Sequence, residues 1–205
     1  MVEKPNYDYK DMNPNVVVVD IETGGLGIDC VILTIGAVYG DVLTGEITDR
    51  FYKRIELDQP GRVTDHGTLK FWDRVKQETP KAYDEAFNTS LNRIPLYDTL
   101  VELNQWINTK YVDLKSAHVF GNGPEFDNAR LEHAMRQYNV RPAWFFGGNQ
   151  SFRTAVWMGR MLLNIDPKYT LDFKGLPHIA IDDAEHEFLA LQHIVSSFKE
   201  KLGGQ

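Results

Sequence analysis

Four acidic residues and one histidine fall where short apolar segments end. Asp20 and Glu22 close the run Val16-Val17-Val18-Val19-Asp20-Ile21-Glu22-Thr23-Gly24-Gly25. On a strand, residues two apart point to the same face, so these carboxylates would stand side by side. They repel each other unless a cation sits between them. Mg2+ and Mn2+ prefer such oxygen ligands. Asp127 follows the short apolar segment Ala117-His118-Val119-Phe120 and the turn Gly121-Asn122-Gly123-Pro124. Asp182 and Asp183 open the last amphipathic segment, and His178 lies five residues before Asp183. Each has a plain reading as well: a solvated acidic turn, a first-turn Asp favoured at a helix N-terminus, a surface histidine. Glu125 is a competing acid beside Asp127.

Taken together, the acids come from three separated segments, all at element ends. In open α/β sheets such ends converge on a crevice. Carboxylates that hold two hard cations suit phosphodiester hydrolysis, one ion activating a water and the other stabilising the leaving oxygen. A histidine nearby can take the proton of that water.

The elements that must position these groups are readable from pattern. Val16–Val19 predicts a central strand, because four β-branched residues in a row suit burial on both faces. Val31–Tyr39 and a run ending near Ile55 predict two more strands, joined by a turn at Thr44-Gly45. Leu69–Phe87 is helical in composition, with Pro80 breaking or restarting it. Leu96, Leu100, Leu103 and Ile107 form one helix face. A short strand at 117–120, a helix over Phe126–Tyr138, a strand at Trp144-Phe145-Phe146 and a helix near Thr154–Leu163 follow, then an irregular stretch over 164–182. The last helix is marked by Ala184, Phe188, Leu191, Val195 and Phe198. Asp182 reads as its cap and Asp183 as a first-turn residue. A meander followed by strand–helix alternation predicts an α/β fold with a mixed five-stranded sheet, antiparallel then parallel, flanked by helices.

Composition excludes several classes. The chain has 205 residues and a formal charge of −7, which argues against a protein that coats long duplexes. It leaves room for an enzyme that holds a short nucleic-acid end through metal ions. One cysteine, Cys30, allows no intramolecular disulfide and no cysteine-rich zinc site; it reads as a small core residue. No apolar run approaches the ~20 residues that span a membrane. The polar start, with Pro5 and Pro14, lacks the apolar core of a signal peptide, so a cytoplasmic location is the expectation. Residues 1–15 are expected to be a flexible arm and residues 16–205 a single domain.

Three segments resemble the DEDDh branch of the DEDD 3′-to-5′ exonucleases, within the ribonuclease-H-like superfamily. They are Asp20-Ile-Glu22-Thr23-Gly, Asn122-Gly-Pro-Glu-Phe126-Asp127-Asn-Ala-Arg-Leu131, and His178-Ile-Ala-Ile-Asp182-Asp183-Ala184. Thr68-Leu69-Lys-Phe-Trp72, Gln77 and Ser151-Phe-Arg153-Thr154 resemble the phage exonuclease A group and its bacterial exoribonuclease relatives, some of whose prophage members are labelled exodeoxyribonuclease VIII. The resemblance implies a ribonuclease-H-like fold and a metal-dependent 3′-to-5′ exonuclease acting on a single-stranded DNA or RNA 3′ end. It implies that Asp20, Glu22, Asp127 and Asp183 are ligands of two Mg2+ or Mn2+ ions and that His178 is the general base. Thr23, Leu26, Asn122 and Phe126 would contact the terminal nucleotide, and Leu26 would wedge between the last two bases. Arg153 would meet a phosphate or form a surface ion pair. The chain departs from the family in the loop after Glu22, which carries an extra glycine before Leu26. A homodimer is also expected. The alternatives are a phosphodiesterase restricted to short oligonucleotides and a catalytically idle nucleic-acid-binding domain of the same fold.

Other patterns fail on inspection. His186-Glu187 begins like a zinc-protease helix, but Ala190 stands where the second histidine belongs. Gly121-Asn-Gly123 lacks the third glycine of a dinucleotide fingerprint, and no Gly-Lys-Ser/Thr phosphate loop is present. Trp144-Phe145-Phe146 reads as core, with a base-stacking surface or a dimer contact as alternatives.

Overall fold

Alternation along the first strand decides where everything else goes. In the computed structural model, which describes residues 12–203, β1 (Asn15–Thr23) pairs antiparallel with β2 (Ile32–Asp41), and β2 with β3 (Glu46–Arg54). On its other side β1 runs parallel to β4 (Val119–Gly121), and β4 parallel to β5 (Asn149–Ser151). The sheet order is β3-β2-β1-β4-β5, so β1 is central and the meander precedes the parallel strands, as expected.

Odd and even residues of β1 enter different layers. Val17, Val19 and Ile21 pack with Leu100 and Leu103 of α3 (Leu96–Asn108) and Leu131 and Ala134 of α4 (Asp127–Gln137). Val16 and Val18 pack on the opposite side with Phe152 and Val156 of α5 (Phe152–Met158) and Phe188 and Leu191 of α7 (Ala180–Gly203). Asp20 and Glu22 share the parity of Val16 and Val18, so they face the layer of α7. A third cluster, with Trp72 of α1 (His66–Glu78) and Ala82 and Ala86 of α2 (Pro80–Phe87), covers Val31 and Leu33. Pro80 stands at the first position of α2, so it restarts the helix rather than kinking it.

One glycine brings the acids of two segments together. Gly36 of β2 is the cross-strand partner of Asp20. A Cβ at Gly36 would stand 2.3 Å from the carbonyl carbon of Ala180 and the nitrogen of Ile181. The first turn of α7 therefore rests on bare strand backbone beside Asp20.

Several expectations need correction. The strand placed at Trp144-Phe145-Phe146 is instead loop and a 3-10 turn over Phe146–Gly148, and β5 is the polar triplet that follows. Polar side chains anchor that triplet: Asn149 Oδ1 accepts from Trp144 Nε1 at 2.8 Å and from Asn128 Nδ2 at 2.9 Å. Only Trp144 is core; Phe145 and Phe146 are 48% and 74% exposed. The first long helix starts at His66, where Asp65 caps it by accepting from the Thr68 N–H at 2.7 Å. The helix near 154–163 starts at Phe152 and ends in a π-turn, Gly159–Leu163. The stretch 164–182 contains a short helix, α6 (Pro167–Thr170), and the start of α7. Asp182 is a first-turn residue, not the cap. Most of the expected arm lies outside the described residues, but Asn15 belongs to β1 and the Pro14 carbonyl accepts from the Val42 N–H at 3.1 Å. Cys30 is buried and free. Among the described residues, no helix is long and apolar enough to cross a membrane.

Candidate active site

The ends of β1, β4 and α7 meet in a cleft of about 400 Å3, lined by Asp20, Glu22, Asn122, Lys168, His178, Asp183 and Glu187 among others. Asp20, Glu22 and Asp183 each bring a carboxylate oxygen within 4.8 Å of the others. Asp127, the first residue of α4, is 2% exposed, and its Oδ2 has no hydrogen-bond partner. Asp127 sits against the end of β4, where a Cβ at Gly121 would stand 2.9 Å from its Oδ2.

The cleft crowds its carboxylates against a single lining cation, Lys168. Burial, then the neighbouring acids Asp127, Glu22 and Asp183, push the Asp20 carboxyl well above its ordinary range. Burial and then Asp183 and Asp127 do the same to Glu22. Burial raises Asp127 to about 6, against backbone N–H groups that favour its charged form. Burial likewise raises Asp183 to about 6, opposed by the His178 N–H, which donates to Asp183 Oδ2 at 2.8 Å. Carboxylates this close and at least half-buried hold protons unless a cation supplies positive charge. The donor set is all hard oxygen, which fits Mg2+ or Mn2+ and not a soft metal.

His178 lines the same cleft on a strained backbone. Its φ is +66°, in the left-handed region that non-glycine residues rarely adopt. Its ring stands edge-on to Phe71, with centroids 5.1 Å apart. Burial, and then Arg74, lower its pKa below the ordinary histidine value, so the ring is neutral at pH 7. A neutral imidazole can accept a proton.

Beside the acids lies a second, mostly apolar pocket of about 370 Å3, lined by Ile21, Glu22, Thr23, Leu26, Gly67, Thr68, Phe71, Trp72 and Phe126. Its walls are fixed by long-range bonds. Trp72 Nε1 donates to the Thr23 carbonyl at 2.9 Å. Asp65 Oδ2 accepts from the Leu26 N–H at 2.7 Å, and the Arg130 guanidinium donates to the Leu26 carbonyl. Leu26 is thereby held by its backbone while its side chain is 69% exposed at the pocket. The extra glycine precedes this anchored residue without displacing it from the pocket wall. Phe126 lies under the Arg130 guanidinium, 3.6 Å from the ring centroid.

The structure thus brings eight of the ten expected site residues into the linings of these two pockets, and Asp127 is buried at the start of α4 outside both linings. Asn122 lines the acidic cleft, where its Oδ1 accepts from Lys168 Nζ at 3.1 Å. Arg153 lies outside both linings; it pairs with Glu125 at 3.1 Å, both side chains 66% exposed. Its backbone N–H donates to the Asn122 carbonyl at 2.9 Å, which places it at the rim. Sequence reasoning missed Phe71, Lys168, Tyr169 and Glu187. Glu187 carried a readable signal, since it follows Asp183 by four residues on one helix face.

The mixed sheet, antiparallel then parallel, with carboxylates gathered at its strand ends defines an α/β domain built around an acidic cleft. The chain belongs to the family described as the Rv2179c-like 3′-5′ exoribonuclease domain, which matches residues 15–195. Solved structures share the fold at low identity. One is cell-death related nuclease 4 (CRN-4), at 18% identity and TM-score 0.61; the match covers 90% of this chain and 64% of that one. Another is the nuclease domain of 3′hExo, described as a DEDDh family member bound to rAMP, at 13% identity and TM-score 0.58, with 94% of each chain covered. A third is Pop2p of S. pombe in an Mg2+ and Mn2+ bound form, at 15% identity and TM-score 0.61, covering 92% of this chain and 85% of that one. The chain thus spans under two thirds of CRN-4. No curated protein matches the sequence.

Proposed function

We propose that the protein is a metal-dependent exonuclease that removes nucleotides from the 3′ end of a single strand. The observation that carries this is the set of half-buried carboxylates whose oxygens converge, outnumbering the one lining lysine, beside a neutral histidine and an apolar pocket. The unpartnered Asp127 Oδ2 and the raised carboxyls fit divalent ions as their missing partners. Asp20, Glu22, Asp127 and Asp183 would hold two Mg2+ or Mn2+ ions. When bound, such ions neutralise developing charge and supply a nucleophile at neutral pH.

The chain's own residues account for the rest. His178 accepts the proton of the attacking water on a ring nitrogen, which its lowered pKa leaves free. The pocket between Leu26 and Phe126 takes the terminal base, since an apolar wall suits a base face and is indifferent to its identity. Leu26, exposed and anchored through its backbone, wedges behind that base. Thr23 forms the floor, its Oγ1 tied to the Gly25 carbonyl at 2.9 Å. Asn122 lines the phosphate side, and Arg153 meets an upstream phosphate at the rim by leaving Glu125.

RNA is the favoured substrate, on the family's description. The two motif segments around Trp72 and Arg153 support kinship with the phage exonuclease group. A cytoplasmic location and a homodimer complete the reading; a partner subunit would supply phosphate contacts to a chain with few basic residues. Sedimentation at a mass near 23.5 kDa would remove the dimer. The short-oligonucleotide alternative draws on one observation, the scarcity of lysine and arginine along the cleft. A digestion series from dinucleotides to long single strands of RNA and DNA, with Mg2+ or Mn2+, tests the function. Stepwise shortening of long strands supports it. Cleavage confined to the shortest substrates favours the phosphodiesterase, and no cleavage with retained strand binding favours the idle domain.

A further inference from the structure

The acidic cleft contains one lysine whose surroundings are not those of a structural ion pair. Lys168 is the one lysine or arginine among the described residues that line it. Four carboxylates line that space: Asp20, Glu22, Asp183 and Glu187. A phosphodiester entering it meets like charge, so a fixed cation there has a large effect on binding.

We propose that Lys168 is a phosphate-binding residue of the cleft, and that Glu187 is a positioning residue that holds its ammonium there. This rests on the exonuclease reading above. Lys168 lies on α6, whose first residue, Pro167, is buried. The Lys168 carbonyl accepts from His186 Nε2 at 2.8 Å, which pins the backbone to α7. Its Nζ donates to Asn122 Oδ1 at 3.1 Å and lies 5.5 Å from the Phe152 ring centroid. An ammonium has three donors, so two remain beyond the Asn122 bond.

Glu187 does not consume them. Its Oε1 is 3.9 Å from Lys168 Nζ, beyond the ~2.7–2.9 Å of a formed charge-assisted bond. Its Oε2 has no hydrogen-bond partner although the residue is only 4% exposed. A buried carboxylate left unsaturated is costly, and a lysine serving only to neutralise it would close the gap. Here the ammonium stands off, attracted by Glu187, bonded to Asn122 and one quarter exposed to the cleft. That arrangement suits a cation that must stay available to an anionic ligand.

The test uses AMP and dAMP as probes, because the product of the proposed reaction is a 5′-mononucleotide. Calorimetry with Mg2+ present should show Lys168→Ala binding them about 10- to 100-fold more weakly than the parent, the range for a bond to a charged group. Lys168→Arg should recover part of that loss. Affinity for Mn2+ alone should not fall in Lys168→Ala, since a cation has been removed from beside the ligands. Glu187→Gln should weaken mononucleotide binding less, and should add no loss in the Lys168→Ala background, because it acts through the lysine. The double variant Lys168→Ala/Glu187→Gln removes both charges, so it keeps the test valid if the single lysine variant folds poorly. Unchanged binding in Lys168→Ala overturns the proposal and leaves the lysine as a mere counter-charge for Glu187. Additive losses overturn the role of Glu187. A parent protein that neither binds mononucleotide nor shortens any strand overturns the exonuclease reading itself, and this proposal with it.

Discussion

Replacing Asp20 by Asn should stabilise the metal-free protein and disable it. Asp20, Glu22 and Asp183 bring oxygens within 4.8 Å of one another. At an effective dielectric constant near 20, each charged pair at that distance repels by about 3.5 kcal/mol. The cluster relieves part of this by holding protons, as the raised carboxyls of Asp20 and Glu22 show. A net gain of about 2 kcal/mol remains for the amide, which for a chain of this length is about 4–8 °C in Tm. The sign reverses when a divalent ion is added. The parent gains about 2.7 kcal/mol when the ion is at 100 times its Kd, and the variant, short of a charged ligand, gains little. Loss of the ligand should reduce turnover by about 10³-fold, equivalent to about 4 kcal/mol. Thermal denaturation in EDTA and in Mn2+, with turnover on a labelled single strand, reads all three effects. A variant that melts at or below the parental Tm in EDTA refutes the repulsion argument. One that hydrolyses substrate at the parental rate refutes the placement of the site.

His178→Ala should lower turnover by about 10²–10⁴-fold with Mn2+ affinity nearly unchanged. The acid limb of the pH–rate profile, expected below the usual histidine value because burial lowers this pKa, should disappear with it; rescue by excess Mn2+ would instead make His178 a support of the metal site. Metal-free protein should lose stability as pH rises. The folded carboxyls of Asp127 and Asp183 titrate near 6, above unfolded values of about 4, so their contribution is full below about pH 4 and is lost as pH rises through about 6. Tm in EDTA should therefore fall between pH 5 and pH 8, and Mg2+ should flatten the trend; a flat profile in EDTA would contradict the anionic cluster. Gly36→Ala should displace the first turn of α7, because its Cβ would stand 2.3 Å from the backbone at Ala180 and Ile181. It should cost several kcal/mol and weaken Mn2+ binding through Asp183, and a variant with parental Tm and metal affinity would show that the close approach is not needed.

Much of the site was legible because its acids sit at element ends that pattern alone locates. The Val16–Val19 run named the central strand, and parity put Asp20 and Glu22 on one face. The i, i+4 spacing in α7 placed Asp183 at a helix start. What escaped was set by contacts distant in sequence. The apolar trio 144–146 has strand-like residues, yet β5 is Asn149–Ser151, because Asn149 is bonded to Trp144, Asn128 and Glu132. The pocket beside the acids depends on Trp72 reaching the Thr23 carbonyl across 49 residues. No local pattern announces that bond. Lys168 escaped because α6 is four residues inside an otherwise irregular stretch, and its role depends on Asn122 and Glu187 from two other segments.

Digestion of a single strand labelled at its 5′ end, with Mn2+ and with EDTA, tests the central claim most directly. The account predicts a ladder of progressively shorter labelled products in Mn2+, no cleavage in EDTA, and resistance when the 3′ hydroxyl is blocked. Release of the label as mononucleotide in the first moments, or equal cleavage in EDTA, would contradict it.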